Sequence, residues 1–205
     1  MEKIHIKQAL AFGWATLKKR PLFIIGAFVL AMAVSGITSA LLDPGENASF
    51  TMVTFAMSLI SAAIGLLIEI GLITFSLRTH DAVEKAHLKD LWNPTPFLWY
   101  VVSQFLVGAI VLVGLILLIV PGIIAMLGLM FSSYLIIDKN LGPIEAIKES
   151  WRMTKGHKMQ LFLLVLALLG INILGFLALF VGLIVSVPIS MLAVAHVYRK
   201  LSATA

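Results

Sequence analysis

An all-α polytopic membrane fold is what this sequence predicts: six transmembrane helices as three hairpins, with amphipathic cytoplasmic helices beside them. Three observations carry the expectation. Of 205 residues, 60% are hydrophobic and only 12% charged, with a mean hydropathy of +1.05. Soluble domains run about 45–50% apolar and about 25% charged. Apolar runs recur at the roughly 20-residue length that a bilayer crossing needs. Finally, all fifteen Lys and Arg fall on one side when six spans are drawn.

The first span is expected at about 21–42, and Asp43-Pro-Gly-Glu-Asn47 breaks it with turn residues. It follows Lys18-Lys19-Arg20, and no small-residue cleavage site follows it in the usual place, so it reads as an uncleaved span. The second is expected at 50–77. From Phe97 the chain stays apolar to Ile137. Forty-odd helical residues would reach about 60 Å, twice the bilayer core, so the run must fold back. Pro121-Gly122 is the predicted place, because Pro suits a helix's first turn and Gly relaxes the turn before it. That divides the run into spans at 97–120 and 121–137. The apolar run from Met159 to Val197 divides in the same way, into 159–178 and 181–198, with a turn between Gly175 and Gly182. Pro188 is expected to kink the last helix rather than end it. These spans occupy most of the chain, so residues 1–205 read as one membrane domain.

Lys3, Lys7, Lys18, Lys19 and Arg20 precede span one, and Arg78, Lys85 and Lys89 lie between spans two and three. Lys139, Lys148, Arg152, Lys155 and Lys158 lie between spans four and five, and Arg199 and Lys200 follow span six. The opposite loops carry only Asp43 and Glu46. The positive-inside rule therefore puts both termini in the cytoplasm of a cell-membrane protein. In so apolar a chain, the net charge of +5 points to anionic lipid headgroups rather than nucleic acid.

Residues 144–155 have the pattern of an amphipathic helix. Glu145, Lys148, Glu149, Arg152 and Lys155 share one face, and Ile144, Ile147, Ser150, Trp151 and Thr154 the other. Trp151, Arg152 and Lys155 are the expected interfacial anchors, with Trp151 buried. The N-terminus repeats the design at identical spacing: Leu10, Trp14 and Lys18 match Ile147, Trp151 and Lys155. Residues 81–92 hold the corresponding place before the middle hairpin but make a poorer helix, with Asp90 on the apolar side. Two readings fit: three diverged units of cytoplasmic helix plus hairpin, or the ordinary Trp and Lys anchoring of interfacial helices.

Ile119-Val-Pro-Gly-Ile123 opens a span that contains Tyr134, and Ala146-Ile-Lys-Glu-Ser-Trp-Arg-Met-Thr-Lys-Gly156 leads into another hairpin. Together these resemble the bacterial multi-pass family grouped with the membrane domain of glycerophosphoryl diester phosphodiesterases. The resemblance implies an all-helical six-span domain and little about activity. The phosphodiesterase chemistry of the fused relatives belongs to a separate soluble barrel, which this sequence lacks.

Among candidate site residues Glu69 comes first. It lies nine residues before Arg78, hence about 13 Å along the helix. Charge at such depth costs about 2.5–3.5 kcal/mol on insertion scales. A neutral Glu69 facing other helices is expected, hydrogen-bonded to Gln104, Asn172 or Thr74. Those three intramembrane groups, Glu69, Gln104 and Asn172, form the candidate polar site. His80, Glu84 and His87 would share a helical face and could bind zinc, but the solvated-face reading is preferred and no metal is expected. Ala27, Ala31, Ser35 and Ser39 form a small-residue strip suited to helix packing. Cysteine is absent, which excludes disulfides and thiolate chemistry. No nucleotide loop or catalytic constellation is visible, so neither an enzyme nor a cofactor is expected. The expected role is a scaffold, assembly or regulatory module, with anionic lipid and a membrane-protein partner or second copy as partners. The alternative is a small transporter or channel lined by Glu69.

Overall fold

The computed structural model describes residues 5–42, 49, 51–178 and 181–204, and all regular structure among them is helical. Six of its helical stretches are long and apolar enough to cross a membrane: Pro21–Leu42, Met52–Asp81, Phe97–Leu117, Ile119–Lys139, Lys158–Leu177 and Leu183–Ala203. The expected break at residues 43–47 lies outside the described residues. Helix α1 (Ile6–Lys19) precedes α2 (Pro21–Leu42). Thr51 starts α3 (Met52–Asp81), its hydroxyl accepting the Thr54 N–H at 3.1 Å.

The fold-back after α4 (Phe97–Leu117) comes earlier than Pro121-Gly122 suggested. Leu118 alone is extended, at φ −162° and ψ 146°, and α5 (Ile119–Leu129) begins at once. Pro121 sits in the first turn of α5, where its missing N–H costs nothing. Gly114 and Gly122 let the two helices close on each other; a Cβ on Gly114 would lie 2.9 Å from the Gly122 Cα.

Span four is interrupted. After α5, Met130 and Phe131 leave the helix, and α6 (Ser132–Lys139) resumes it. The exposed backbone groups are taken up by α7 (Pro143–Thr154). The Phe131 N–H donates to the Ser150 hydroxyl at 3.2 Å. The Ser150 and Thr154 hydroxyls donate to the Gly128 carbonyl at 2.9 and 3.1 Å. Helix α8 (Lys158–Leu177) follows, and α9 (Leu183–Thr204) runs unbroken through Pro188.

One expectation about the basic end needs correction. Residues 81–92 contain no α-helix beyond Asp81; they form two short 3-10 turns, Val83–Lys85 and Leu88–Leu91. Helix α7 packs Ala146, Ser150, Met153 and Thr154 against the bundle and leaves Ile144 and Trp151 on the protein's surface, 60% and 42% exposed, where an interfacial helix would present them to lipid. Small and hydroxylated side chains win the inner face because they permit close approach and satisfy the broken ladder; the bulky apolar pair lies beside that stripe.

The core lies toward the basic end. Tyr100, Phe131, Leu135, Leu161, Leu192 and Tyr198 are fully buried there. At the other end Leu117, Leu118, Ile119 and Val120 are each 65–71% exposed, as hydrocarbon-facing side chains would be.

Candidate functional site

The second helix of each span pair reaches the basic end in the same register. Gly71 on α3 is followed ten residues later by Asp81, and Gly128 on α5 by Asp138. Ile189 on α9 is followed at the same spacing by Arg199. Each first position is also met at close range by another segment. A Cβ on Gly71 would strike the Leu91 carbonyl, and one on Gly128 the Trp151 ring. A Cβ on Gly13 of α1 would lie 2.7 Å from the Ile189 carbonyl oxygen.

The three charged ends converge. Arg199 grips Asp81 with a two-pronged fork, Nε donating to Oδ1 at 2.9 Å and Nη2 to Oδ2 at 2.6 Å. Its Nη1 donates to Asp138 Oδ2 at 2.6 Å, and the Tyr198 hydroxyl donates to the same oxygen at 2.8 Å. One guanidinium thus ties three spans through charge-assisted bonds. Asp138 is the better shielded carboxylate, its side chain 18% exposed against 46% for Asp81.

The network extends sideways. His80 Nδ1 lies 3.1 Å from Asp81 Oδ1, and its Nε2 lies 3.2 Å from His196 Nδ1. Phe12 of α1 stacks on His196, centroids 4.4 Å apart. The helical face proposed for His80, Glu84 and His87 does not form, because α3 ends at Asp81. His87 Nδ1 instead meets the Lys85 carbonyl at 2.6 Å. Among the described residues no group of three possible metal ligands occurs.

Two openings flank this network. One, of about 240 Å³, is lined by Thr74, Arg78, Asn93, Asp138 and Arg199. The other, of about 470 Å³, lies under residues 82–90, which form a strap across the end of α3, and is lined by Arg78, Lys85, His87 and Lys89. The Arg20 guanidinium pins the strap through the Val83 carbonyl at 3.2 Å.

The sequence-derived polar site divides in two. Glu69 lies near the Tyr100 hydroxyl, which Gln104 Nε2 meets at 3.5 Å. The Ser133 hydroxyl reaches Gln104 Oε1 at 3.4 Å. Glu69 itself is exposed. Asn172 is elsewhere, receiving the Ser186 hydroxyl at 2.7 Å and donating to Ser190 at 3.0 Å. Thr74 is not a partner of Glu69; it donates to the Ile70 carbonyl and receives Asn93. On α7, Arg152 forks onto Glu149 at 2.7 and 2.8 Å, which holds the Glu149 carboxyl below its ordinary value. Trp151 lies under the Lys158 ammonium, 3.3 Å from its ring centroid, and Lys155 is exposed.

Sequence reading missed Asp81, Asp138, Tyr198 and Arg199. The repeated Gly-to-Asp spacing was the available signal.

Six apolar helices of spanning length, closed by an ionic tie at one end, define a multi-pass helical membrane protein. Residues 99–205 match a family described as "Protein of unknown function (DUF975)". The chain belongs to that family. It is also similar to the uncharacterized protein Rv2560 of Mycobacterium tuberculosis (strain H37Rv), with 26% identity over 82% of this chain and 51% of the relative. The uncharacterized protein Mb2590 of Mycobacterium bovis shows the same identity and coverage, 26%, 82% and 51%. The chain spans about half the length of these curated relatives. None of these matches links the chain to a phosphodiesterase. No solved structure matches the chain.

Proposed function

We propose that the chain is a non-enzymatic module of the cytoplasmic membrane, a scaffold, assembly or regulatory partner acting from its basic cytoplasmic face. The tie of Arg199 to Asp81 and Asp138 carries this reading. It holds three spans to one another at the basic end, which suits a fixed bundle. The six helices are read as three hairpins with both termini cytoplasmic, supported by the placement of all fifteen Lys and Arg. The resemblance to the phosphodiesterase membrane domain bears on fold alone.

A second reading, a small transporter or channel, rests on the polar line Glu69–Tyr100–Gln104–Ser133 across α3, α4 and α6. Proteoliposomes decide between them. Loaded with a pH-sensitive dye and challenged with proton and cation gradients, wild-type vesicles should leak no faster than empty ones. A flux that Glu69→Gln abolishes, with the variant still folded, would overturn the module reading and establish the second.

A further inference from the structure

We infer that the strap at residues 82–90 and the end of α3 hold the phosphate of one anionic phospholipid, with an acyl chain lying between α2 and α3. This rests on the membrane reading above.

The charge balance of the opening of about 470 Å³ under the strap comes first. It is lined by three permanent cations and two carboxylates. Both carboxylates are already engaged. Asp81 is held by Arg199 and His80. Asp90 Oδ2 accepts the His87 N–H at 2.8 Å. Arg78, Lys85 and Lys89, by contrast, make no ion pair among the described residues. With three cations against two carboxylates, the opening keeps one net positive charge in a concave site, with one planar guanidinium suited to two phosphate oxygens and two ammonium groups around it.

A neighbouring groove selects a lipid over a free anion. It too measures about 470 Å³ and is lined by Leu30, Val34, Ile64, Leu67, Leu91 and Trp92. Both openings fall in the range of about 300–1,000 Å³ typical of ligand sites. They share their elements. Leu67, Gly71 and Arg78 lie on one face of α3, and Leu91 and Trp92 directly follow Lys89 and Asp90. Arg78 is three residues from the end of α3, the depth of a headgroup when the apolar part of the helix sits in hydrocarbon. An inorganic phosphate would use the cations and leave the groove unfilled; a phospholipid uses both.

The test is native mass spectrometry of the full chain released from nanodiscs containing equal phosphatidylglycerol and phosphatidylcholine. Wild type should retain one phosphatidylglycerol in strong preference. Replacing Arg78, Lys85 and Lys89 together by Gln should weaken retention about 100-fold, at roughly the worth of three surface cations. Val34→Trp, which fills the groove from an exposed position, should weaken it while leaving every cation in place. Thermal melts confirm that each variant is folded, and the headgroup comparison needs no variant. Equal retention of the two lipids, or retention indifferent to the triple variant, overturns the site. Release of the lipid by inorganic phosphate, with Val34→Trp silent, would mean a soluble-anion site and overturn the lipid assignment. None of these results depends on vesicle leakage, so this inference and the module reading fail separately.

Discussion

Helix α7 and the strap hold equivalent stations, yet one is a regular helix and the other is not. Each precedes a pair of spans, and each crosses an earlier span at a glycine, Gly128 or Gly71. Helix α7 has Pro143 in its first turn, Glu145 reaching back to the Gly142 N–H at 3.3 Å, and the Glu149–Arg152 pair on its outer face. Residues 82–92 have neither the proline start nor the ion pair, although Asp90 reaches back to the His87 N–H at 2.8 Å as Glu145 does to Gly142. Their polar side chains bind the strap's own backbone, as at His87 and Asp90, and so favour turns. The consequence is one station sealed and one open. Helix α7 fills its site with Ser150 and Thr154, while the strap leaves a cationic cavity beneath it.

The largest expected effect concerns what joins the two stations, the tie at Arg199. Arg199→Ala leaves two carboxylates facing one another. It should cost about 2–3 kcal/mol, short of the roughly 3–5 kcal/mol of a fully buried pair because the side chains keep some solvent. Detergent unfolding titrations measure it. Asp138→Asn should cost more than Asp81→Asn, since Asp138 is better shielded and also receives Tyr198. The reverse order would mean that the strap station, and not the α7 station, carries the tie.

Next come the glycines. At Gly71 an added Cβ meets Leu91 backbone, which cannot rotate away; at Gly128 it meets the ring of Trp151, which can. Gly71→Ala should therefore cost about 2 kcal/mol and Gly128→Ala about 1 kcal/mol on the overpacking scale. Equal losses would show that the strap yields as readily as a side chain does.

The smallest effect is on the outer face of α7. Glu149 has its carboxyl lowered by the bond to Arg152. A depressed carboxyl contributes stability above the ordinary value of 4.5 and loses it as pH falls through the lowered one. Wild type should melt slightly above Glu149→Gln at neutral pH and coincide with it in acid. A gap that persists in acid would locate the effect elsewhere.

Much of the architecture was readable because its causes are local. Run length required six spans, and Pro121 marked the start of a helix to within one turn. The broken helix at Met130–Phe131 was hidden because its repair comes from Ser150 and Thr154, about twenty residues away. Residues 81–92 were only half legible: misplaced Asp90 signalled a poor helix, while the strap's path depends on Gly71 far upstream. The tie was least visible. Asp81 and Arg199 are separated by 118 residues and Asp138 and Arg199 by 61, and no local periodicity links them. Glu69 drew attention by depth alone, and depth said nothing of Tyr100, its neighbour on α4.

The two hydroxyls of α7 make that helix a splint for its neighbour. Were α7 to swing away, the Gly128 carbonyl and Phe131 amide would be bare among apolar side chains, at a cost of several kcal/mol for each group. Span four would then have to rewind through Met130 and Phe131 into one continuous helix. The docking of α7 and the break in span four therefore stand or fall together, since the hydroxyls of α7 satisfy the backbone groups that the break frees.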